Sequence, residues 1–255
     1  PSIGVVSSPP SSPQTMDERP LIGLSVEVLD APHYEGRRRY QLFSDYAGCL
    51  RKAGAIPILI PGDTPPSDLD SILDCLDGLL MTGGDDVDLR PLGGPPPEDT
   101  CRPIPIEQQE LNLHLVAHAK ARDMPTLGIC LGMQVIGLAN QSSYIQHLDS
   151  AEEHTKGIEH QVVAKEGSRL AKILGLQPIT VASFHHQALK ETGQGLCPAA
   201  YSEDGLLEAI EDSEMTFHIG VQWHPERLPD SEPSLALFSS FVAAAQAYGR
   251  EEPNS

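Results

Sequence analysis

The stretch PTLGICLGMQ, residues 125–134, constrains this chain more than any other. A short apolar run passes into G-x-C-x-G and then into helix-favouring residues. That order predicts a strand, a tight turn and a helix, with Cys130 thrust out at the turn, as in the serine elbow G-x-S-x-G. Gly128 and Gly132 are needed because side chains there would collide with the neighbouring strand and helix. The turn also places Cys130 at a helix N-terminus, where free N–H groups and the helix dipole favour thiolate over thiol. The competing reading is a small apolar cysteine buried at a strand end. The motif alone does not choose between them.

The surrounding pattern supplies the scaffold. Strands are predicted at Leu21–Val26, Ile56–Ile60, Gly78–Met81 and Pro125–Ile129. Helices are predicted at Tyr40–Ala53, Ser67–Leu76, Ile106–Ala121 and Leu131–Ala139. This alternation argues for an α/β fold, an open and mostly parallel sheet with helices on both faces. The later half changes character: Glu159–Ala164, Ile179–Ala182, Leu207–Ile210 and His218–Val221 read as short strands, some of them antiparallel. Pro233–Tyr248 closes the chain as an amphipathic helix. Residues 89–104, rich in Pro and Gly, read as a loop. One domain is expected over 20–249, between a disordered Ser/Pro-rich tail at 1–19 and a short tail at 250–255. Met16, before the first ordered-looking residues, is a candidate internal start by position only.

Composition narrows the partners. With 17 Lys+Arg against 36 Asp+Glu the formal net charge is −19, a field that repels phosphate backbones and anionic lipid. Neither nucleic acid nor membrane is an expected partner, and no apolar run is long enough to span a bilayer. Cys49, Cys75, Cys101, Cys130 and Cys197 are scattered without a C-x-x-C pair, which points to free thiols in a reducing, cytoplasmic setting. Oligomeric state is left open, a homodimer included.

A thiolate acting on an amide needs a proton donor for the departing amine and a group that orients the donor. Among ten histidines, His224 stands out because it follows the apolar run HIGVQW and precedes Pro225 and Glu226. In extended backbone, residues i and i+2 point the same way, so Glu226 can hold one ring nitrogen while the other faces the sulfur. Cys130, His224 and Glu226 then form a triad by role. His114 and His118, four apart on a helix, could share a metal. No third ligand is evident, and no metal or cofactor is expected.

GICLGMQ together with QWHPE resembles the class I glutamine amidotransferase-like superfamily, whose sheet is flavodoxin-like. LLMTGGDDVD (79–88), HTKGIEHQV (154–162) and SFHHQAL (183–189) resemble its γ-glutamyl-γ-aminobutyrate hydrolase group, the peptidase C26 type. The resemblance runs from about Leu21 to Tyr248. It implies a hydrolase that cleaves γ-glutamyl amides, with Cys130 as nucleophile, His224 as general acid/base and Glu226 as its orienter. It further implies an oxyanion hole from the N–H groups of Gly84 and Leu131. Substrate contacts are implied at Gly83, Gln134, Ser183, His185 and His186. Asn140-Gln141-Ser142-Ser143 departs from the Gly-Gly pair common in this group, which bears on pocket shape and not on the triad. Two other readings compete: a glutaminase subunit delivering ammonia to a synthase partner, and a catalytically silent binding protein on the same fold.

Overall fold

Strands without a polar face need cover on both sides, and this requirement sets the architecture. A computed structural model describes residues 19–249. The tail expected over 1–19 lies outside the described residues except for Arg19, as do Met16 and the tail expected over 250–255. Five strands form a parallel core: β1 (Leu21–Asp30), β3 (Ile56–Pro61), β4 (Gly78–Met81), β5 (Thr126–Ile129) and β12 (His218–Val221). Their order across the sheet is β3–β1–β4–β5–β12. Beyond β12 the sheet continues antiparallel through β11 (Leu207–Glu211), β10 (Cys197–Ser202), β7 (Ile158–Ala164) and β8 (Ile179–Ser183). The strand β2 (Arg38–Gln41) pairs antiparallel with the end of β1, and β6 (Ser143–Ile145) pairs with β9 (Ala188–Glu191) apart from the main sheet. This is the expected α/β fold, with its antiparallel strands in the C-terminal half.

Helices cover both faces. One face carries α1 (Ser44–Lys52), α6 (Arg169–Leu174) and α7 (Glu232–Tyr248); the other carries α2 (Leu69–Leu73), α3 (Ile106–Ala121) and α4 (Leu131–Ala139). A further short helix, α5 (Ala151–His154), precedes β7. Strand side chains alternate between the two cores: Leu80 packs with α1 and α7 residues, while Leu79 and Met81 pack against α2, α3 and α4. Among the described residues no helix is long and apolar enough to cross a membrane.

The structure departs from the sequence expectation in particular places. The helix expected from Tyr40 starts only at Ser44, because residues 38–41 pair with the extended end of β1. The strand β10 was not expected, since CPAAYS carries no β-branched residue and owes its conformation to β11 and β7 on either side. Nor was α6, although Ser168 caps it by accepting from the Ala171 N–H at 2.9 Å and Gly175 ends it at φ +80°.

The feature that positions everything else is the seat of α4. A Cβ on Gly132 would lie 2.2 Å from the Met81 carbonyl oxygen, and one on Gly128 would lie 2.7 Å from the Gly132 carbonyl carbon. A Cβ on Gly220 of β12 would come within 2.9 Å of Met133. Three glycines thus let the helix sit directly on β4, β5 and β12. Gly132→Ala should destabilise by about 1–3 kcal/mol, since the obstacle is backbone. Gly48→Ala should instead stabilise by up to about 1 kcal/mol, because nothing lies within 4 Å of its Cβ and the residue is helical. Thermal unfolding of the two variants, shifting in opposite directions, checks both.

Candidate active site

Three carboxyl ends of parallel strands converge at one place, where open α/β sheets put their ligands. From β5 comes Cys130, the residue preceding α4, with φ +52° and ψ −107°. A side chain in this region is strained by about 1–3 kcal/mol. The conformation is held by the seated helix and by the Cys130 N–H, which donates to Val221 O at 2.8 Å. From β4 comes Thr82-Gly83-Gly84, and from β12 comes Gln222-Trp223-His224.

His224 and Glu226 meet as the two-residue spacing requires. The His224 Nδ1 lies 2.6 Å from Glu226 Oε1, and Glu226 is fully buried. Since an ionised carboxylate only accepts, Nδ1 carries the proton donated to it. The other edge of the ring faces Cys130, within hydrogen-bonding reach. Burial disfavours the imidazolium, but the Cys130 charge and its hydrogen bond, then Glu226, outweigh it and raise His224 from 6.5 to about 10. Phe184 covers the ring edge-on at 5.4 Å between centroids. Arg227 stacks over Phe43 at 4.6 Å and Phe184 at 5.1 Å, closing the wall beside the pair.

The Gly83-Gly84 turn is tightly enclosed. A Cβ on Gly83 would lie 2.7 Å from the Tyr46 hydroxyl and 2.8 Å from His224 Cε1; one on Gly84 would lie 2.8 Å from Leu131 Cδ2 and 2.9 Å from Glu27 Oε1. Glycine is therefore favoured at Gly83, against the two rings, whereas at Gly84 the neighbours are ends of flexible side chains that can shift. Gly84 and Leu131 flank Cys130, and Leu131 opens α4, where N–H groups lack intrahelical acceptors.

The remaining expected site residues are placed differently. Gln134 is buried one turn into α4, where Nε2 donates to Gln187 O at 3.1 Å and to Gln222 Oε1 at 3.3 Å; its Oε1 accepts from the Tyr144 hydroxyl at 2.9 Å. Ser183 is fully buried, with Oγ 3.3 Å from His160 Nδ1. His185 bonds the Gln187 carbonyl and faces Glu208, and His186 pairs with Asp86 at 3.1 Å. The structure thus brings Cys130, His224, Glu226, Gly83, Gly84 and Leu131 together. Gln134 lies beneath them in an amide network, and Ser183 and His185 turn toward a second cluster. His114 and His118 stand 6.4 Å apart between ring centroids, and His118 pairs with Asp70 at 2.9 Å. All five cysteines are free.

Two residues at the centre carried no expectation. Gln222 is fully buried and its Nε2 lies 3.6 Å from the Cys130 sulfur. The i, i+2 alternation that joined His224 to Glu226 also reaches back to Gln222, so that signal was available. Tyr46 on α1 accepts the Gly83 N–H at 3.0 Å. Burial, then the charges of Glu226 and Cys130, hold its phenol well above the ordinary value. No local motif marks it.

The fold is that of solved glutaminases. The glutaminase domain of Trypanosoma brucei CTPS with bound acivicin has a TM-score of 0.64 at 18% identity, covering 92% of this chain and 97% of that one. That likeness shows the fold; the family match and the sequence relatives make the molecule a class I glutamine amidotransferase-like hydrolase. The chain belongs to the peptidase C26 family, whose model matches residues 20–226. A Mycobacterium tuberculosis protein, provisionally named a glutamine amidotransferase, is 34% identical over 91% of this chain and 77% of its own length. The γ-glutamyl-γ-aminobutyrate hydrolase PuuD of Escherichia coli is 29% identical over 91% of this chain and 96% of its own.

The raised His224 value can be tested directly. Its folded value lies above the unfolded one, so the imidazolium's contribution to stability is complete below about pH 6.5 and lost as pH rises through about 10. An NMR titration of the His224 ring should show a midpoint near 10, shifted down in Glu226→Gln. A wild-type midpoint near 6.5 would contradict the arrangement.

Proposed function

We propose that this protein hydrolyses γ-glutamyl amides through a Cys130–His224–Glu226 triad and a γ-glutamyl thioester. The observation that carries the reading is the strained Cys130 turn, facing an imidazole held by a buried carboxylate. In this mechanism the Cys130 sulfur attacks the γ-carbonyl carbon. The N–H groups of Gly84 and Leu131 receive the oxyanion, a single such donor being worth about 3–4 kcal/mol. His224 gives its proton to the departing amine, leaving the thioester. It then takes a proton from water, which attacks the thioester and releases glutamate and the thiolate. Gln222 positions the sulfur by donating toward it, and Tyr46 holds the Gly83-Gly84 turn in register. Gly83, Gln134 and the segment Ser183–His186 shape the glutamyl end, with Gln134 acting through its bonds to Gln187 and Gln222.

The leaving-group side has a charge of its own. A cavity of about 380 Å³ is lined by Glu27, Asp30, Asp85 and Glu107 against the single cation Arg38, which is itself paired with Glu107 at 2.6 Å. Cys130, His224 and Glu226 do not line it; Glu27, whose Oε1 lies 2.9 Å from where a Gly84 Cβ would sit, links it to the Gly83-Gly84 turn, and residues 29–38 and 89–104 both contribute to it. Burial, then the Asp85 charge, raises Glu27 to about 7. Such a lining repels the carboxylate of γ-glutamyl-GABA and favours a leaving amine that carries a second ammonium. The glutaminase reading draws on relatives named as amidotransferases, but a cavity of this size and charge is not needed for ammonia.

Cys130→Ala should abolish glutamate release from every γ-glutamyl amide, and mass spectrometry should trap the thioester on the wild-type protein. If the variant retained the wild-type rate, the mechanism would fail. With the purified chain alone, γ-glutamylputrescine should exceed γ-glutamyl-GABA in kcat/KM by about tenfold or more, roughly 1.4 kcal/mol. Glu27→Gln should narrow the ratio. Strong preference for glutamine, or dependence on an added synthase, would favour the glutaminase reading instead.

A further inference from the structure

A second cluster of chemistry lies outside the triad. Glu208 on β11 is fully buried, yet neither of its oxygens has a hydrogen bond of acceptable geometry. Three imidazoles converge on Oε1: His160 Nε2 at 3.3 Å, His154 Nδ1 at 3.5 Å and His185 Nε2 at 3.7 Å. All three nitrogens are themselves buried without a hydrogen-bond partner. These separations exceed the 2.7–3.2 Å of an ordinary N–H···O bond. They bracket the ligand–ligand edge of a tetrahedron with bonds of about 2.0–2.1 Å, which is about 3.3–3.4 Å.

Proton placement sharpens the point. His154 Nε2 lies 3.0 Å from Asp204 Oδ2, and a carboxylate only accepts, so that nitrogen carries hydrogen. His185 Nδ1 lies 3.0 Å from the Gln187 carbonyl and carries hydrogen for the same reason. In their neutral forms His154 and His185 therefore aim bare lone pairs at a carboxylate. Lone pairs repel unless a positive charge stands between them. Outer partners of this kind, a carboxylate and a backbone carbonyl on the far ring nitrogen, are those that orient metal-bound histidines.

We propose that His154, His160 and Glu208 bind a divalent transition-metal ion, with His185 packed against the carboxylate at 3.7 Å. One ligand atom from each of the first three residues lies within 4.8 Å of the others. The donor set, imidazoles with one carboxylate in a closed site, suits zinc. The role is structural, because the ligand atoms of all three residues are buried away from solvent. The ion would tie α5, β7 and β11 together, with His185 holding the segment after β8 against Glu208. That segment includes Phe184, which covers His224, and the Glu208 carbonyl accepts the Gln222 N–H at 2.8 Å. The bound ion would therefore brace one wall of the triad. This departs from the sequence expectation of no metal, which had only the His114/His118 pair to consider.

The test reads metal content, so its outcome is independent of the hydrolase reading. The full chain, purified without chelators, should carry about one zinc per chain by plasma mass spectrometry. After stripping, titration with Co²⁺ should give the intense visible bands of a tetrahedral site at one equivalent. Glu208→Gln should lose both signals. Asp204→Asn changes a partly exposed turn residue that orients His154 and also accepts from Ser202, Ser150 and the Leu206 N–H, bonds whose acceptor oxygen Asn can retain; it should keep the fold and weaken metal affinity about 10–100-fold. Absence of zinc from the purified chain, together with no stoichiometric uptake of Co²⁺ or Zn²⁺ by the stripped wild type, would overturn the proposal. It would leave the cluster as protonated imidazoles around a carboxylate. Wild-type affinity in Glu208→Gln would overturn it equally.

Discussion

The contact on which the site depends is the seat of α4 on the sheet. Helix and strands approach so closely that a single carbon on Gly132 or Gly128 would meet backbone. That proximity forces the chain to turn within one residue, and the residue that turns is Cys130, at φ +52°. The turn costs local conformational energy, which the packing of Met133, Val135 and Ile136 in the core offsets. In return the sulfur stands at the end of β5, at the start of a helix and beside β12. A looser helix would allow an ordinary turn and would move the sulfur away from His224.

Around that fixed point the structure separates two kinds of polar burial. Around Cys130 each residue has a partner, although Glu226 Oε2 is left without a hydrogen bond: Glu226 Oε1 holds His224, His224 faces Cys130, and Tyr46 accepts from Gly83. The amide chain Tyr144–Gln134–Gln222 runs beneath the sulfur and ends within 3.6 Å of it. Around Glu208 the opposite holds, with five buried ring and carboxylate atoms left without hydrogen bonds. Buried polar groups in a folded chain are nearly always satisfied, so five exceptions gathered on one carboxylate are what the proposed cation would account for. The antiparallel half of the sheet is therefore more than an extension. It carries Glu208, His160 and the segment that walls the triad.

The acidic composition also acquires a location. A net charge of −19 spread over a surface says little about substrate. Glu27, Asp30, Asp85 and Glu107 gathered around one cavity beside Gly84 say more. Their sequence positions are far apart, and only the packing of β1, the turn after β4 and the start of α3 makes them neighbours.

What could be read from the chain alone was whatever short-range geometry dictates. An apolar run, two glycines and a cysteine specify a strand, a turn and a helix within ten residues. A His-Pro-Glu in extended backbone specifies a pair two residues apart. The parallel core and the placement of Cys130 with His224 and Glu226 were legible for that reason. Strands such as β2 and β10 were not, because their pairing partners rather than their own residues make them strands. Tyr46 reaches Gly83 across 37 residues and His160 reaches Glu208 from a different strand. Ser183 and His185 looked like neighbours of Cys130 because their segment covers His224, yet their side chains turn toward His160 and Glu208. Local spacing determines which side of its own element a residue faces; only packing of distant elements decides what it meets there.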